Sequence, residues 1–392
     1  MTIKNLINAG LGIAAVTVAL VLPAAAENGV TADKIVIGQV AALSGPAAAL
    51  GQGMREGILA AFAEANAAGG VKGHKLELIS EDDGYEPAKS VTGAKKLIND
   101  DKVFALVGSV GTPTSAAVQP ITTEIGMPFI GAFTGAEFLR DPYKPNVVNV
   151  RASYFQETET MVDHLVNDLG ATKIAIFYQD DAYGQAGLTG VKRALDARHM
   201  QLVAEGTYER NTTAVKGALL SIRKASPEAV IMIGAYLPTA EFIRLARQAK
   251  LGATFVSISF VGTEAFAKEV GPAGAGVVVT EVVPSPADAS VAVVAKGQTA
   301  LQSVTPGAKP NYVSLEGYIV GSLVVQALQK VSGEITHQAF LEAISKTGTF
   351  NVGGLDLTYG PDNNRGSSQV FLIVIQPDST FRQVARLTKS AS

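Results

Sequence analysis

From Lys34 onward the chain alternates short apolar runs with amphipathic stretches. Ile35–Val40 is a β-rich run, and the segment Met54–Ala67 that follows puts Met54, Ile58, Phe62 and Ala65 on one helical face. Leu76–Ile79 reads as the next strand and Ala88–Asn99 as the next helix. Val103–Val107, a helix over Thr114–Ile125 and the strand Pro128–Ile130 continue the series. Strands spaced by helices of about 10–15 residues predict βαβ units and a parallel sheet. The rhythm restarts after Arg151, where Met161, Val162, Leu165, Val166 and Leu169 line a helix. Strand Lys173–Phe177, helix Gly187–Ala197, strand Gln201–Thr207, helix Ala214–Lys224 and strand Ala229–Ile233 come next. Helix Thr239–Ala249 and strands Thr254–Ser257 and Val277–Thr280 close this second series. Two series predict two α/β lobes.

The tail departs from the rhythm. Helices over Asn311–Val331 and Thr336–Lys346 precede Phe350–Tyr359 and Gln369–Gln376, which read as a terminal strand pair around the polar stretch Gly360–Gly366. Asp362-x-Asn364-x-Gly366 lacks the sixth-position Gly and the closing Glu of an EF-hand, so it reads as a turn.

Ahead of the first series, Lys4, an apolar stretch Leu6–Leu22 and Pro23-Ala24-Ala25-Ala26 form a charged, an apolar and a small-residue region in turn. That order predicts a secretory signal peptide cleaved after Ala26, the alternative being a retained anchor. Asn8, Gly10 and the Ala-x-Ala ending favour removal, and hence a periplasmic location.

Composition narrows the chemistry. The 392 residues fit two domains of roughly 100–200 residues, and 47% apolar with 17% charged residues excludes a disordered chain. A net charge of −3 without a basic run argues against nucleic acid. Zero cysteines remove disulfides, thiol nucleophiles and thiolate metal sites, and His74, His164, His199 and His337 are too scattered for a local metal motif. No P-loop, Gly-x-Ser-x-Gly or His-Glu-x-x-His occurs. Gly51-x-Gly53-x-x-x-Gly57 misses the dinucleotide spacing and reads as a helix-packing surface. Asp82-Asp83 and Asp180-Asp181 could serve acid–base work, but no His or Lys adjoins either pair, so they read as loop carboxylates or caps. No enzyme activity, metal or cofactor is expected.

In an open α/β sheet ligands bind beyond the carboxyl ends of strands, where the strand order reverses. With a flavodoxin-like order this point lies between the first and third strands. The first runs into Leu43-Ser44-Gly45-Pro46, and the third into Gly108-Ser109-Val110-Gly111-Thr112-Pro113-Thr114-Ser115. Thr112 as N-cap with Pro113 behind it predicts a helix start whose free amides attract an anion. The hydroxyls could instead only cap the helix. Phe133-Thr134-Gly135-Ala136 repeats the arrangement after the fourth strand and favours a carboxylate site.

Three stretches then carry a resemblance: Leu43-Ser44-Gly45-Pro46 with Gly51, Ala68–Leu76 running to Asp82-Asp83, and Asp180-x-x-Tyr183-Gly184, supported by Ala235-Tyr236 and Arg247-Gln248-Ala249. With these the chain resembles the periplasmic solute-binding proteins of ABC transporters in the leucine/isoleucine/valine-binding family. The resemblance implies the type I periplasmic binding protein fold, two Rossmann-like lobes joined by a three-segment hinge that bends on binding. It sets lobe 1 at 28–152 plus 283–355 and lobe 2 at 153–282 plus 356–392. It also implies that the ligand carboxylate meets Thr112, Phe133, Thr134 and Gly135, and that Tyr183 and Tyr236 contact the ligand from lobe 2. Leu50 and Phe260 would shape the apolar end, and Tyr85 either borders the pocket or packs its loop.

Amino-acid binders of the family place an acid in lobe 2 to meet the ligand ammonium. Counting back from Gly271 puts Ser259 there, with Glu264 an alternative only if the loop shifts. A buried ammonium without a counter-charge is costly, which favours a carboxylate with an apolar or aromatic body. Tyr85 and Gly111 stand where some relatives have a disulfide. The expected function is a non-catalytic, monomeric receptor that hands a small carboxylate to a membrane permease and its ATPase subunits. A sensor module of the same fold is the alternative, and an exported enzyme a remoter one.

Overall fold

The computed structural model describes residues 27–388. The signal-peptide reading of residues 1–26 lies outside them. No helix among the described residues is long and apolar enough to cross a membrane.

The first series folds as β1 (Lys34–Ala41), α1 (Ala48–Ala67), β2 (Lys75–Asp82), α2 (Pro87–Asn99), β3 (Leu106–Val107), α3 (Thr112–Glu124), β4 (Phe129–Ile130) and β5 (Val147–Val148). These strands form one parallel sheet in the order β2-β1-β3-β4-β5. The predicted reversal between β1 and β3 is therefore present.

The second series gives α4 (Tyr154–Asn167), β6 (Ile174–Gln179), α5 (Ala182–Asp196), β7 (Ala204–Tyr208), α6 (Lys216–Lys224), β8 (Ala229–Ile233), α7 (Tyr236–Gln248), β9 (Thr254–Ser257), α8 (Thr263–Val270) and β10 (Val278–Glu281). β6 and β8 are buried along their whole length, as parallel strands covered on both faces must be.

The chain then returns to the first lobe as α9 (Ala292–Val304), α10 (Tyr312–Lys330) and α11 (His337–Thr347). Three antiparallel strands follow: β11 (Thr349–Val352), β12 (Leu355–Gly360) and β13 (Asn363–Gly366). Last come β14 (Phe371–Ile375) and β15 (Phe381–Val384), which extend the second sheet to the order β15-β14-β10-β9-β8-β6-β7. β14 and β15 join it antiparallel.

This tail corrects two expectations. Phe350–Tyr359 is not one strand but a hairpin, because Gly353 and Gly354 both take positive φ and turn the chain between β11 and β12. Its supposed partner, now β14, belongs to the other lobe. The third crossing consequently falls between β13 and β14, about a dozen residues later than 355/356. The Asn149 N–H donates to Asn364 O at 2.9 Å, and that of Ser367 to Val150 O at 2.9 Å, so 363–367 are tied to the first crossing segment. The other two crossings run between β5 and α4 and between β10 and α9.

The glycines of α1 serve packing, as their spacing predicts. A Cβ on Gly57 would stand 2.0 Å from Ser314 O, and one on Gly317 of α10 2.4 Å from Met54 O. Only hydrogen at both positions lets the two helix backbones approach this closely.

Candidate functional site

α3 begins one residue off the prediction. Gly111, at φ 108°, occupies the N-cap, and Thr112 is the first helical residue. A side chain at position 111 would meet the Tyr85 ring at 2.3 Å, so Gly111 and Tyr85 are in contact here. Freed from capping, the Thr112 hydroxyl lies 2.7 Å from that of Thr134, on the loop after β4. Thr134 Oγ1 also accepts the Ala136 N–H at 3.2 Å. Thr114 bonds back to Val110 O at 2.5 Å, whereas the buried hydroxyls of Ser109 and Ser115 have no partner. Two hydroxyls and a helix N-terminus thus converge at the point where strand order reverses.

Aromatic side chains enclose this point from both lobes. Phe260, in the loop after β9, is their hub: its ring centroid is 4.5 Å from Tyr183, 5.4 Å from Phe133 and 5.9 Å from Tyr85. Phe133 and Tyr85 belong to the first lobe, and Tyr183, on α5, to the second. Tyr85 is held at φ 63°, a left-handed conformation unusual for a bulky residue, with its N–H given to Asp83 Oδ1 at 2.8 Å. Across the cleft its hydroxyl accepts from Gln179 Nε2 at 3.2 Å. Burial raises the Tyr85 and Tyr183 phenols well above their ordinary pKa, so both stay neutral donors.

Of the remaining sequence-predicted residues, Gly135 accepts the Tyr154 N–H at 2.7 Å through its carbonyl. Leu50 and Tyr236 lie at the margin. The Leu50 side chain packs against Gly262 of the second lobe, and the Tyr236 hydroxyl accepts the Ala49 N–H at 3.4 Å. Ser259 is buried but turned to protein partners: its hydroxyl donates to Glu157 Oε1 at 2.9 Å and its N–H to Oε2 at 3.0 Å. Glu264 accepts the Tyr312 N–H at 3.2 Å, an attachment to α10.

Two residues of this constellation were not singled out by sequence reasoning. Tyr154 opens α4 behind a Ser153/Gln156 capping box, stands 5.7 Å from Tyr183 ring to ring, and is fully buried. Burial raises its pKa, with Arg151 and the hydroxyls of Thr134 and Thr112 opposing. Arg151, on the first crossing, is 1% exposed and lays its guanidinium 4.5 Å over the Phe133 ring. Its Nη2 donates to Ser259 Oγ and lies 4.0 Å from Glu157 Oε1, and its Nε lies 3.6 Å from Glu316 Oε1. Burial opposes the Arg151 charge, but Glu316 and Glu157 outweigh it and lift the pKa above the ordinary arginine value. The signal for these residues was present in Ser153-x-x-Gln156 and in a lone Arg among apolar neighbours.

The acidic pairs are structural, as expected. Asp82 accepts from the backbone of Leu43, Ser44 and Gly84, and Asp181 caps α5 through the Tyr183 N–H at 2.9 Å. No cluster of metal-ligating side chains occurs among the described residues.

Comparison with known proteins bears on the family and the fold. Residues 34–380 match the family described as "Periplasmic binding protein". A structure from Rhodopirellula baltica SH 1, described as that of a "possible leucine/isoleucine/valine-binding protein", is 39% identical with a TM-score of 0.85, covering 92% of this chain and 98% of that one. A substrate-binding periplasmic protein from Ralstonia solanacearum is 27% identical with a TM-score of 0.84, over 89% and 99% of the two chains. An "Amino acid binding protein" of Pseudomonas aeruginosa is 30% identical over 60% of this chain and 63% of its own length. A Leu/Ile/Val-binding protein homolog of Brucella melitensis is 29% identical over 52% and 54%. The chain thus spans between half and two thirds of these curated relatives. The family consists of solute-binding proteins and not of enzymes. With its fold of the type I kind and its match extending over most of the sequence, the chain belongs to the periplasmic binding protein family.

Proposed function

We propose that this protein is the periplasmic substrate-binding component of an ABC importer and captures a small carboxylate solute between its lobes. The observation that carries the reading is the buried Thr112–Thr134 hydroxyl pair, 2.7 Å apart at the N-terminus of α3. Hydroxyl donors and first-turn amides, which have no acceptor within the helix, suit an anion of carboxylate size. The rings of Tyr85, Phe133, Tyr183 and Phe260 then suit an apolar or aromatic body. Because Thr112, Thr134 and these rings are all buried where the lobes meet, a solute enters only when the lobes part and is enclosed when they close. A permease and its ATPase subunits would receive the closed form, and the exported chain would act as a monomer.

Thermal denaturation against a panel of amino acids, aromatic acids and small amides tests this. A solute bound only by the folded chain adds about 2.7 kcal/mol at one hundred times its Kd, which appears as a rise in Tm. No rise with any carboxylate would refute the reading.

A further inference from the structure

Whether the solute carries an ammonium group depends on which charges face the cleft. The carboxylates around the aromatic cluster are committed to protein donors. Glu157 is surrounded by the Ser259 N–H, the Ser259 hydroxyl and the Thr280 hydroxyl, at 3.0, 2.9 and 2.6 Å. Glu281 accepts from Thr263, Asp83 from the Tyr85 N–H and Ser90, and Asp181 from Gln179, Tyr183 and Arg210. Glu264 reaches Tyr312 on α10. Glu316 Oε1 alone lacks a hydrogen bond, and its nearest cation is Arg151 Nε at 3.6 Å.

A group on the donor side is also left without a partner. Arg151 is 1% exposed, stacks on Phe133 of one lobe, bonds Ser259 of the other, and has no acceptor for Nη1. The Tyr154 hydroxyl, buried beside those of Thr134 and Thr112, can donate as well as accept. A buried guanidinium N–H that finds no acceptor costs more than an ordinary lost hydrogen bond. A ligand ammonium placed beside it would add like-charge repulsion.

We infer that Arg151 is a specificity-determining residue, and that its free Nη1–H selects a carboxylate whose second polar group is an acceptor, a 2-oxo acid with an apolar or aromatic side chain, over the matching 2-amino acid. The inference rests on the carboxylate-binding reading above. In it, the hydroxyls of Thr112 and Thr134 hold the carboxylate and the guanidinium, fixed between Phe133 and Ser259, meets the 2-oxo oxygen. Ser259 contributes by accepting from Arg151 and donating to Glu157, which holds both charged groups in place.

Matched pairs test it by calorimetric titration of the full mature chain: phenylpyruvate against phenylalanine, and 4-methyl-2-oxopentanoate against leucine. The oxo member of at least one pair is expected to bind tenfold or more tightly than its amino partner. Equal or tighter binding of the amino members, or binding confined to carboxylates with no second acceptor, such as benzoate, overturns the inference while leaving carboxylate capture standing. Absence of binding by every carboxylate overturns both. Arg151→Lys retains the buried charge between Glu157 and Glu316 but not the guanidinium fork, so folding should survive. This variant should lose the oxo-over-amino preference. An unchanged ratio in a variant that melts cooperatively would show that Arg151 does not set specificity. Should that variant fail to fold, Ser259→Glu serves instead, by placing an acid beside Arg151. It should shift the ratio towards the amino acid by at least tenfold, and an unchanged ratio would contradict the inference.

Discussion

Asp83, one residue beyond β2, illustrates how burial acts on a single group. It accepts hydrogen bonds from Ser90 and from the Tyr85 N–H, yet burial dominates and pushes its carboxyl up to about 6. An acid whose folded pKa exceeds its unfolded value binds more protons when folded, so its ionisation opposes folding as pH rises. Stability should therefore fall between about pH 4 and pH 6 by up to about 3 kcal/mol from this residue. Asp83→Asn should flatten that part of a Tm-versus-pH curve, and an unaltered slope would exclude the assignment. At this scale turn residues at strand ends pointed to Thr112, Phe133 and Thr134, whereas Tyr85, Tyr183 and Phe260 came from the family resemblance. Sequence reading did not disclose Arg151 or Tyr154. The capping signature Ser153-x-x-Gln156 marks the start of α4, but the roles of Arg151 and Tyr154 come from contacts between a crossing segment and both lobes. Sequence reading also misassigned the cap, because Gly111 at φ 108° beside Tyr85 takes the position a Thr would ordinarily fill.

Among the elements, α1 and α10 are joined through glycine. Gly57→Ala would drive a methyl to within 2.0 Å of the Ser314 carbonyl, so one helix must shift. Overpacking of this kind costs about 1–3 kcal/mol or more, readable as a lowered denaturant midpoint. A smaller loss, about 1 kcal/mol, is expected for Ser153→Ala, which removes the capping box of α4. The alternation of strands and helices was legible because β6 and β8 are continuous apolar runs and the major helices carry apolar stripes. The helices α8 and α9 were not predicted. The first is short and the second begins with Ala-Val-Val, a pattern that suits a strand equally well. The β11–β12 hairpin escaped because its apolar residues alternate without interruption on either side of Gly353-Gly354.

At the scale of the whole molecule, the two lobes also meet away from the ring cluster. Arg210 on the second lobe meets Glu86 on the first at 3.0 Å, and Asn211 reaches Glu86 at 2.7 Å and the Gly84 carbonyl at 3.1 Å. These groups are partly exposed, so the ion pair is worth at most about 1 kcal/mol. Arg210→Ala should speed solute release by about two- to fivefold without altering which solute is chosen, and the difference should shrink in high salt. The two-lobe plan was legible from the repeated rhythm. The third crossing was placed too early because the chain's return to the first lobe is fixed by pairing of β11, β12 and β13, a non-local event. The claim on which all of this depends is that two lobes close on a solute carboxylate held by the hydroxyls of Thr112 and Thr134. Calorimetric titration of the carboxylate that most raises Tm, into the wild type and into a Thr112→Val/Thr134→Val chain of unchanged fold, tests it most directly. A loss of affinity of a hundredfold or more is expected. Equal affinity of the two proteins would contradict it.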